Sequence, residues 1–144
     1  MVTHEVKRVL IVEDEQSIRD ILVELFDVEG NHLTAVDSLP TALEVLKTQS
    51  FDFIVTDLRL GGKRDGGLQI MAMAGMVCDG ATVLVLTAYP DDSNRQASSR
   101  LGALHFLEKP ADLHTIATLA NEAGVGTAFG AIKATGGQGL SHIS

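Results

Sequence analysis

The sequence predicts an α/β protein built on a doubly wound, five-stranded parallel sheet with helices on both faces. Short apolar runs of strand length alternate five times with segments whose apolar residues recur at helical spacing. Continuous apolar runs such as "RVLIV" and "TVLVL" are typical of strands that are buried on both faces, as in parallel sheets. Right-handed crossovers between parallel strands then place helices on either side of the sheet.

The first two strand–helix units are clearly delimited. Strand one is predicted at residues 8–12, and its helix follows over "EQSIRDILVELFDVEG" until Gly30 and Asn31 end it. Strand two covers residues 33–36, and Ser38 with Pro40 is typical of a helix start. The apolar positions at helical spacing are Ile18, Ile21, Leu22, Leu25 and Phe26 in the first helix and Leu39, Ala42, Leu43 and Leu46 in the second.

Three further units complete the sheet. Strand three is predicted at 51–56, strand four at 82–86 and strand five at 103–107. The fourth helix, "PDDSNRQASSRLG", is polar and has few apolar anchors, so we expect it to be the least stable. The residues that mark the other two helices are Leu68, Met71, Ala72 and Met76 in the third and Leu113, Ile116, Ala117 and Ala120 in the fifth.

Composition and charge exclude several classes of function. A chain of 144 residues is within the size of one domain, and a formal net charge of −8 argues against direct binding to nucleic acid or anionic membranes. The single cysteine, Cys78, excludes an internal disulfide and a cysteine-based zinc site, and we expect it to be buried. The apolar runs are too short for a signal peptide or a membrane span, which favours a cytoplasmic protein.

The composition changes at residue 124. Residues 124–144 hold six glycines and one formally charged residue, Lys133, and we expect them to carry no output domain. We therefore expect a core domain over 1–123 and a glycine-rich extension over 124–144. The extension also carries apolar residues that a solvated tail does not need, namely Val125, Phe129, Ile132, Leu140 and Ile143.

Polar side chains stand where four of the predicted strands end. Glu13 and Asp14 follow strand one, Asp57 follows strand three, Thr87 ends strand four, and Lys109 follows strand five. Taken singly, each has an ordinary explanation, such as acids at a helix start or an aspartate in a turn. Taken together, they converge at the carboxyl edge of the sheet, where ligands bind in such folds.

This set of groups suits magnesium-dependent phosphoryl chemistry. Three carboxylates at one edge repel one another, one lysine cannot neutralise them, and an all-oxygen site favours Mg²⁺. An aspartate can act as a nucleophile toward phosphorus, while a cation, a lysine and a hydroxyl stabilise the charge on the transferred group.

The motifs "VLIVEDE", "FDFIVTDL", "VLVLTA" and "FLEKP" resemble the receiver domain of two-component response regulators over roughly residues 6–123. The resemblance implies the flavodoxin-like strand order 2-1-3-4-5. It also implies that Asp57 accepts a phosphoryl group from a phosphohistidine of a sensor histidine kinase or phosphotransfer protein. Glu13, Asp14 and Asp57 would bind Mg²⁺ together with the backbone carbonyl of Arg59.

The resemblance also implies a conformational switch. Thr87 matches the hydroxyl that moves onto the phosphoryl group, Lys109 the cation that pairs with it, and Phe106 the aromatic residue whose packing changes. The face formed by the fourth helix, fifth strand and fifth helix would then contact a downstream protein target or a second copy of the chain. Arg59 and Tyr89 lie two residues after Asp57 and Thr87, and we expect them to tune the lifetime of the acyl phosphate.

Two features depart from the family pattern, and two other functions are open on the same fold. The loop "DLRLGGKRDGG" lacks the usual proline and is longer, and no effector domain accompanies the chain. A flavin-type binder would need a phosphate-cradling loop after strand one, where this chain has Glu13, Asp14 and Glu15. A Mg²⁺-dependent aspartyl phosphohydrolase would need a second acid at the position of Arg59.

The role of the extension has two explanations. One is that residues 124–144 dock on a face of the domain near the fourth helix, in the same chain or across a dimer. The other is that they are a linker without a docking partner.

Overall fold

The computed structural model describes residues 5–62 and 66–130. Five strands and five helices alternate along the chain. They are β1 Lys7–Val12, α1 Gln16–Phe26, β2 Asn31–Val36, α2 Leu39–Thr48, β3 Phe53–Asp57, α3 Gly66–Val77, β4 Thr82–Thr87, α4 Asp92–Arg100, β5 Ala103–Glu108 and α5 Leu113–Glu122.

The strands form one parallel sheet in the order β2-β1-β3-β4-β5, which confirms the predicted fold class and strand order. The central strand β3 is buried along its whole length, as its continuous apolar sequence predicts. Because β1 and β4 flank β3, the carboxyl ends of these three strands lie side by side.

Two apolar cores cover the two faces of the sheet. One packs α2 and α3 against the sheet, with Leu46, Ile54 and Ile70 at its centre. The other packs α1 and α5 against the opposite face, with Phe26, Phe53 and Ile116. Full burial of one such side chain stabilises the fold by ~1.5–3 kcal/mol. Because the two cores hold the sheet from both faces, they also fix the positions of the strand ends.

The predicted inner faces of α1 and α3 need correction. Ile21 of α1 is about half exposed, while Leu22, Leu25 and Phe26 are buried as expected. In α3 the buried apolar side chains are those of Ile70, Met71 and Ala74, whereas Met76 is 83% exposed and Ala72 is also exposed. This helix is apolar all round, so its sequence does not show which stripe faces the sheet.

The polar helix α4 is present, and Ser38, Asp91 and Asp112 cap α2, α4 and α5 through side-chain oxygens that accept backbone N–H bonds. Ser98 is the buried residue of α4, and its Oγ atom has no hydrogen-bond partner among the described residues. The helix is therefore held by few apolar contacts, as its sequence predicts. In the described ranges, none of the helices has both the length and the apolar composition that a membrane span requires.

Residues 124–130 pack on the domain. Gly124 adopts a φ of 85°, which favours glycine and turns the chain at the end of α5. Val125 is then fully buried in the core of α1 and α5. The contacts of this part of the extension lie with α1, Asn31 and α5 rather than near the fourth helix. Ile132, Leu140 and Ile143 lie outside the described residues.

Candidate functional site

The fold brings all five predicted strand-end residues to one edge of the sheet. The register pairs Val12 of β1 with Thr56 of β3, so Glu13 and Asp57 follow at the same level. On the other side, Thr87 pairs with Glu108 of β5. The backbone N–H of Lys109 donates to the carbonyl of Thr87 at 2.8 Å, which holds the lysine beside the strand end.

Lys109 bridges two carboxylates. Its Nζ atom lies 2.7 Å from Oδ2 of Asp57 and 2.8 Å from Oε1 of Glu13. The side chain of Lys109 is 14% exposed, that of Asp57 9% and that of Glu13 2%. At these distances and this burial the contacts are strong charge-assisted hydrogen bonds, unlike a surface ion pair.

Burial and pairing shift two of the protonation equilibria. Burial raises the pKa of Glu13 above its usual value, and the hydrogen bonds from Lys109 and from the backbone of Glu15 offset only part of that rise. Burial alone would lower the pKa of Lys109, but the hydrogen bonds to Asp57 and Glu13 outweigh it and raise that pKa. The ammonium form of Lys109 is therefore part of the folded site across the neutral range.

Glu13, Asp14 and Asp57 form a cluster of three carboxylates. Oxygen atoms of the three, one from each, lie within 4.8 Å of one another. Among the described residues, Lys109 is the cation in ion-pair contact with this cluster, through Glu13 and Asp57, so three carboxylates face one ammonium. The donors are all oxygen and one of the acids, Asp14, is exposed, which fits a hard divalent cation that keeps some of its water.

The loop after β3 is tied to this cluster by contacts that the sequence pattern does not reveal. The N–H of Gly61 donates to Oδ2 of Asp14 at 2.9 Å, and the N–H of Arg59 donates to Oδ1 of Asp57 at 3.3 Å. Each oxygen of Asp57 thus has its own donor, Arg59 on one side and Lys109 on the other. These bonds fix the plane of the carboxylate.

Gly67 is a supporting residue that sequence reasoning missed. A Cβ atom there would collide with the carbonyl oxygen of Asp57 and lie 2.8 Å from Cα of Leu58. Its own N–H donates to the carbonyl of Leu58 at 2.8 Å. The absence of a side chain therefore lets the start of α3 pack directly against the end of β3. The signal in the sequence was the Gly66–Gly67 pair at the head of the third helical pattern.

The predicted switch residues, Thr87 and Phe106, lie on neighbouring strands. Thr87 is fully buried, and its Oγ1 accepts a hydrogen bond from the N–H of Tyr89 at 2.9 Å. Phe106 is partly buried against the core of α2 and α3, and the guanidinium of Arg95 in α4 lies 4.5 Å from its ring centroid. The contact with Arg95 is a second feature that the sequence did not indicate.

Arg59 and Tyr89 meet at the mouth of the site. The guanidinium carbon of Arg59 lies 3.9 Å from the centroid of the Tyr89 ring, which is cation–π geometry. The pair lines a cleft of about 420 Å³ whose other lining residues include Leu58, Leu68 and Asn94. The two residues therefore stand together between the loops that follow β3 and β4, as their positions predict.

Comparison with known families agrees with this arrangement. The family model described as the response regulator receiver domain matches residues 9–121. Sporulation initiation phosphotransferase F of Bacillus subtilis is 29% identical over 110 residues, which is 76% of this chain and 87% of that protein. Response regulator protein FleR of Pseudomonas aeruginosa is 30% identical over 112 residues, 78% of this chain and 23% of that protein. The chain thus spans less than a quarter of FleR.

Solved structures of response regulators and receiver domains are also similar to this chain. A response regulator from Burkholderia pseudomallei, crystallised with a phosphorylated aspartic acid, calcium and citrate, is 29% identical with a TM-score of 0.70, covering 79% of this chain and 65% of that one. The beryllofluoride-activated receiver domain dimer of NtrC4 is 28% identical with a TM-score of 0.71, covering 81% and 94%. A receiver domain from Methanospirillum hungatei, at 22% identity and a TM-score of 0.75, covers 82% and 93% and shares the fold.

The sheet order, the acidic edge with its lysine, and the family match over residues 9–121 lead to one conclusion. The chain belongs to the response regulator receiver domain family, the phosphoacceptor switches of two-component signalling.

Proposed function

We propose that Asp57 is the phosphoacceptor of this switch. The observation that carries the proposal is the carboxylate of Asp57 at the centre of the edge, held 2.7 Å from Lys109 and clustered with Glu13 and Asp14. In the transfer, an oxygen of Asp57 forms a bond to phosphorus as the bond from phosphorus to the imidazole nitrogen of the donor breaks. The electron pair of that bond stays on the imidazole, which leaves as the neutral ring after taking up or retaining one proton.

We propose that Mg²⁺ is bound by carboxylate oxygens of Glu13, Asp14 and Asp57 and by the backbone carbonyl of Arg59. When bound, the ion would offset negative charge on the transferred phosphoryl group. Lys109 can neutralise one of the three carboxylates, which leaves an excess of two negative charges. This excess supports the assignment of a divalent cation to the cluster.

Lys109 and Thr87 have separate roles in this proposal. Lys109 already binds Oδ2 of Asp57, so a movement of Lys109 toward the phosphoryl group would pair its Nζ atom with a phosphoryl oxygen. The Oγ1 atom of Thr87 accepts from Tyr89, and its own proton is free to be donated to that group. The shift of Thr87 would leave space beside Phe106, whose ring could repack toward the core and away from Arg95.

The surface that would report this change is formed by α4, β5 and α5. It includes the exposed side chains of Leu101 and Leu104. We assign this surface to a downstream protein target, with a sensor histidine kinase or phosphotransfer protein as the phosphodonor. A dimer through the same surface or through the C-terminal extension is the alternative use, and molecular mass in solution distinguishes the two. We propose that the protein acts in the cytoplasm, in keeping with partners of this kind.

We propose that the chain catalyses no reaction other than its own phosphorylation and dephosphorylation. Arg59 and Tyr89 would tune the second step, because their stacked side chains stand at the mouth of the site. The phosphohydrolase alternative gains no support, because the position two residues after Asp57 holds Arg59 rather than an acid. The flavin alternative gains none either, because Glu13 and Asp14 occupy the loop that would bind the phosphate.

The test is labelling with a small phosphodonor. Wild-type protein, incubated with acetyl phosphate and Mg²⁺, should gain the mass of one phosphoryl group, and peptide mapping should place it on Asp57. Asp57→Asn should abolish the label with little change in fold, because the amide is nearly isosteric with the carboxylate. Asp14→Asn and chelation of Mg²⁺ should each slow labelling strongly. A label that persists on another residue in Asp57→Asn would refute the assignment.

A further inference from the structure

The chain does not leave the domain at the end of α5. Residues 125–130, here called the strap, return onto the surface of α1 and α5. The N–H of Val125 donates to the carbonyl of Ala120 at 2.9 Å, and the N–H of Ala128 donates to the carbonyl of Leu25 in α1 at 2.8 Å. The side-chain amide of Asn31 donates to the carbonyls of Phe26 and Gly126, each at 2.9 Å. The strap is thus joined to both helices by directed bonds.

The strap ends on a ring stack. The ring of Phe129 lies parallel to that of His114 in the first part of α5, with centroids 4.3 Å apart and an angle of 6° between the planes. Both side chains are a little under half exposed, and the ring of His114 also lies near a carboxylate, with its Nδ1 atom 3.7 Å from Oδ1 of Asp112. Such a stack depends on the position of the first turn of α5.

That first turn is close in sequence to the proposed phosphorylation site. Lys109, which binds Asp57 and Glu13, precedes His114 by five residues. The intervening residues are constrained, because Ala111 packs against the core of α1 and α5 and Asp112 caps the helix by accepting the N–H of His114 at 3.1 Å. The segment that joins Lys109 to His114 is therefore short and held in place, so a displacement of Lys109 can be transmitted to the ring of His114.

We propose that the strap is a second output of the switch, driven by Lys109 through His114. The inference rests on the proposed function, since it requires phosphorylation of Asp57. A phosphoryl group adds negative charge and three oxygens at Asp57. Lys109 must move to bind them while leaving Glu13, and the segment that joins Lys109 to α5 moves with it. The first turn of α5 then shifts, the stack of His114 on Phe129 opens, and residues 128–130 of the strap are released from α1 and α5.

A tryptophan reporter tests the proposal directly, because the protein contains no tryptophan. Phe129→Trp places the single tryptophan in the stack. The expected result is a shift of its emission to longer wavelength on addition of acetyl phosphate and Mg²⁺, as the indole loses its stacking partner and contacts water. Intact mass measured on the same sample reports the phosphoryl label. An unlabelled protein would contradict the proposed function, whereas a labelled protein with unchanged emission would overturn the strap proposal alone.

Three variants in the Phe129→Trp background separate a relay from a merely structural contact. His114→Ala should remove the phosphorylation-dependent shift while leaving labelling unchanged, and His114→Phe should retain the shift because an aromatic ring is kept. Thr115→Ala, at an exposed neighbouring position of α5, should behave like the parent. A shift that survives His114→Ala, or that disappears in Thr115→Ala, would overturn the relay through His114.

Amide exchange in the wild-type protein provides a reporter without substitution. The N–H of Ala128 is hydrogen-bonded to Leu25, so it should exchange slowly before phosphorylation and faster afterwards. Equal exchange of the strap in labelled and unlabelled protein would contradict its release.

Discussion

Removal of the charge on Lys109 should destabilise the protein by an amount that depends on pH. In Lys109→Met the apolar stem is kept, but the 2.7 Å and 2.8 Å bonds to Asp57 and Glu13 are lost. A hydrogen bond to a charged group contributes about 1.5–3 kcal/mol, so two of them set an upper bound of about 6 kcal/mol. Removing one partner of a buried ion pair costs about 3–5 kcal/mol, so we expect a loss at the lower end of that range, about 3 kcal/mol, at pH 8.

The sign of the pH dependence follows from Glu13. Its folded-state pKa is raised by burial even with Lys109 present, and loss of the lysine raises it further. A carboxyl whose folded pKa exceeds its unfolded value of about 4.3 destabilises the fold as pH rises above that value. The penalty of Lys109→Met should therefore be smaller at pH 5 than at pH 8.

The assay is urea unfolding followed by far-ultraviolet circular dichroism at pH 5 and pH 8, with comparison of midpoints at constant m value. Lys47→Met is the matched control. Its ion pair with Glu44 is 3.5 Å long and both side chains are more than half exposed, so the change should stay within about 0.5 kcal/mol at either pH. A penalty for Lys109→Met that is equal at the two pH values, or larger at pH 5, would refute the electrostatic account.

Three further variants test other parts of the domain. Thr87→Ala should leave labelling of Asp57 largely intact but remove the phosphorylation-dependent change in amide exchange on α4 and β5, and a normal change there would show that Thr87 is not the switch hydroxyl. Replacing Arg59 and Tyr89 together by alanine should alter the dephosphorylation rate, measured as loss of label with time, because the stack at the mouth of the site is removed. An unchanged rate would exclude them from the site. Val125→Ala should lower the free energy of urea unfolding by about 1–3 kcal/mol, because its side chain is fully buried. A loss below about 0.5 kcal/mol would indicate that the cooperatively folding unit ends at residue 123, the predicted end of the core domain.

The candidate site was largely predictable from sequence, for a physical reason. In a parallel sheet each strand end is set by a long apolar run, and the next polar residue must lie at the carboxyl edge. Glu13 and Thr87 follow such a run directly, and Asp57 and Lys109 follow one after a single further residue, so local pattern and topology together place them. The bonds of Lys109 to Asp57 and Glu13 are what that placement leads one to expect.

The supporting contacts were decided by tertiary packing. The collision that any side chain at Gly67 would make with Asp57 depends on how α3 approaches β3, which no local pattern encodes. The same holds for the stripe of α3 that faces the sheet, because an apolar helix offers several stripes of similar hydrophobicity. The pairing of Arg95 with Phe106 depends on where the polar helix α4 settles over β5.

The C-terminal extension shows most clearly the difference between what the sequence predicts and what tertiary packing decides. Its composition alone revealed glycines that allow turns and apolar residues that need burial. The sequence therefore determined the fold class and the polar residues that end the strands, since these depend on patterns within one segment at a time, whereas the family resemblance implied the strand order. Only the tertiary structure decided that Val125 enters the core and that Phe129 stacks on His114, because both contacts join segments whose proximity is set by the packing of α1 and α5.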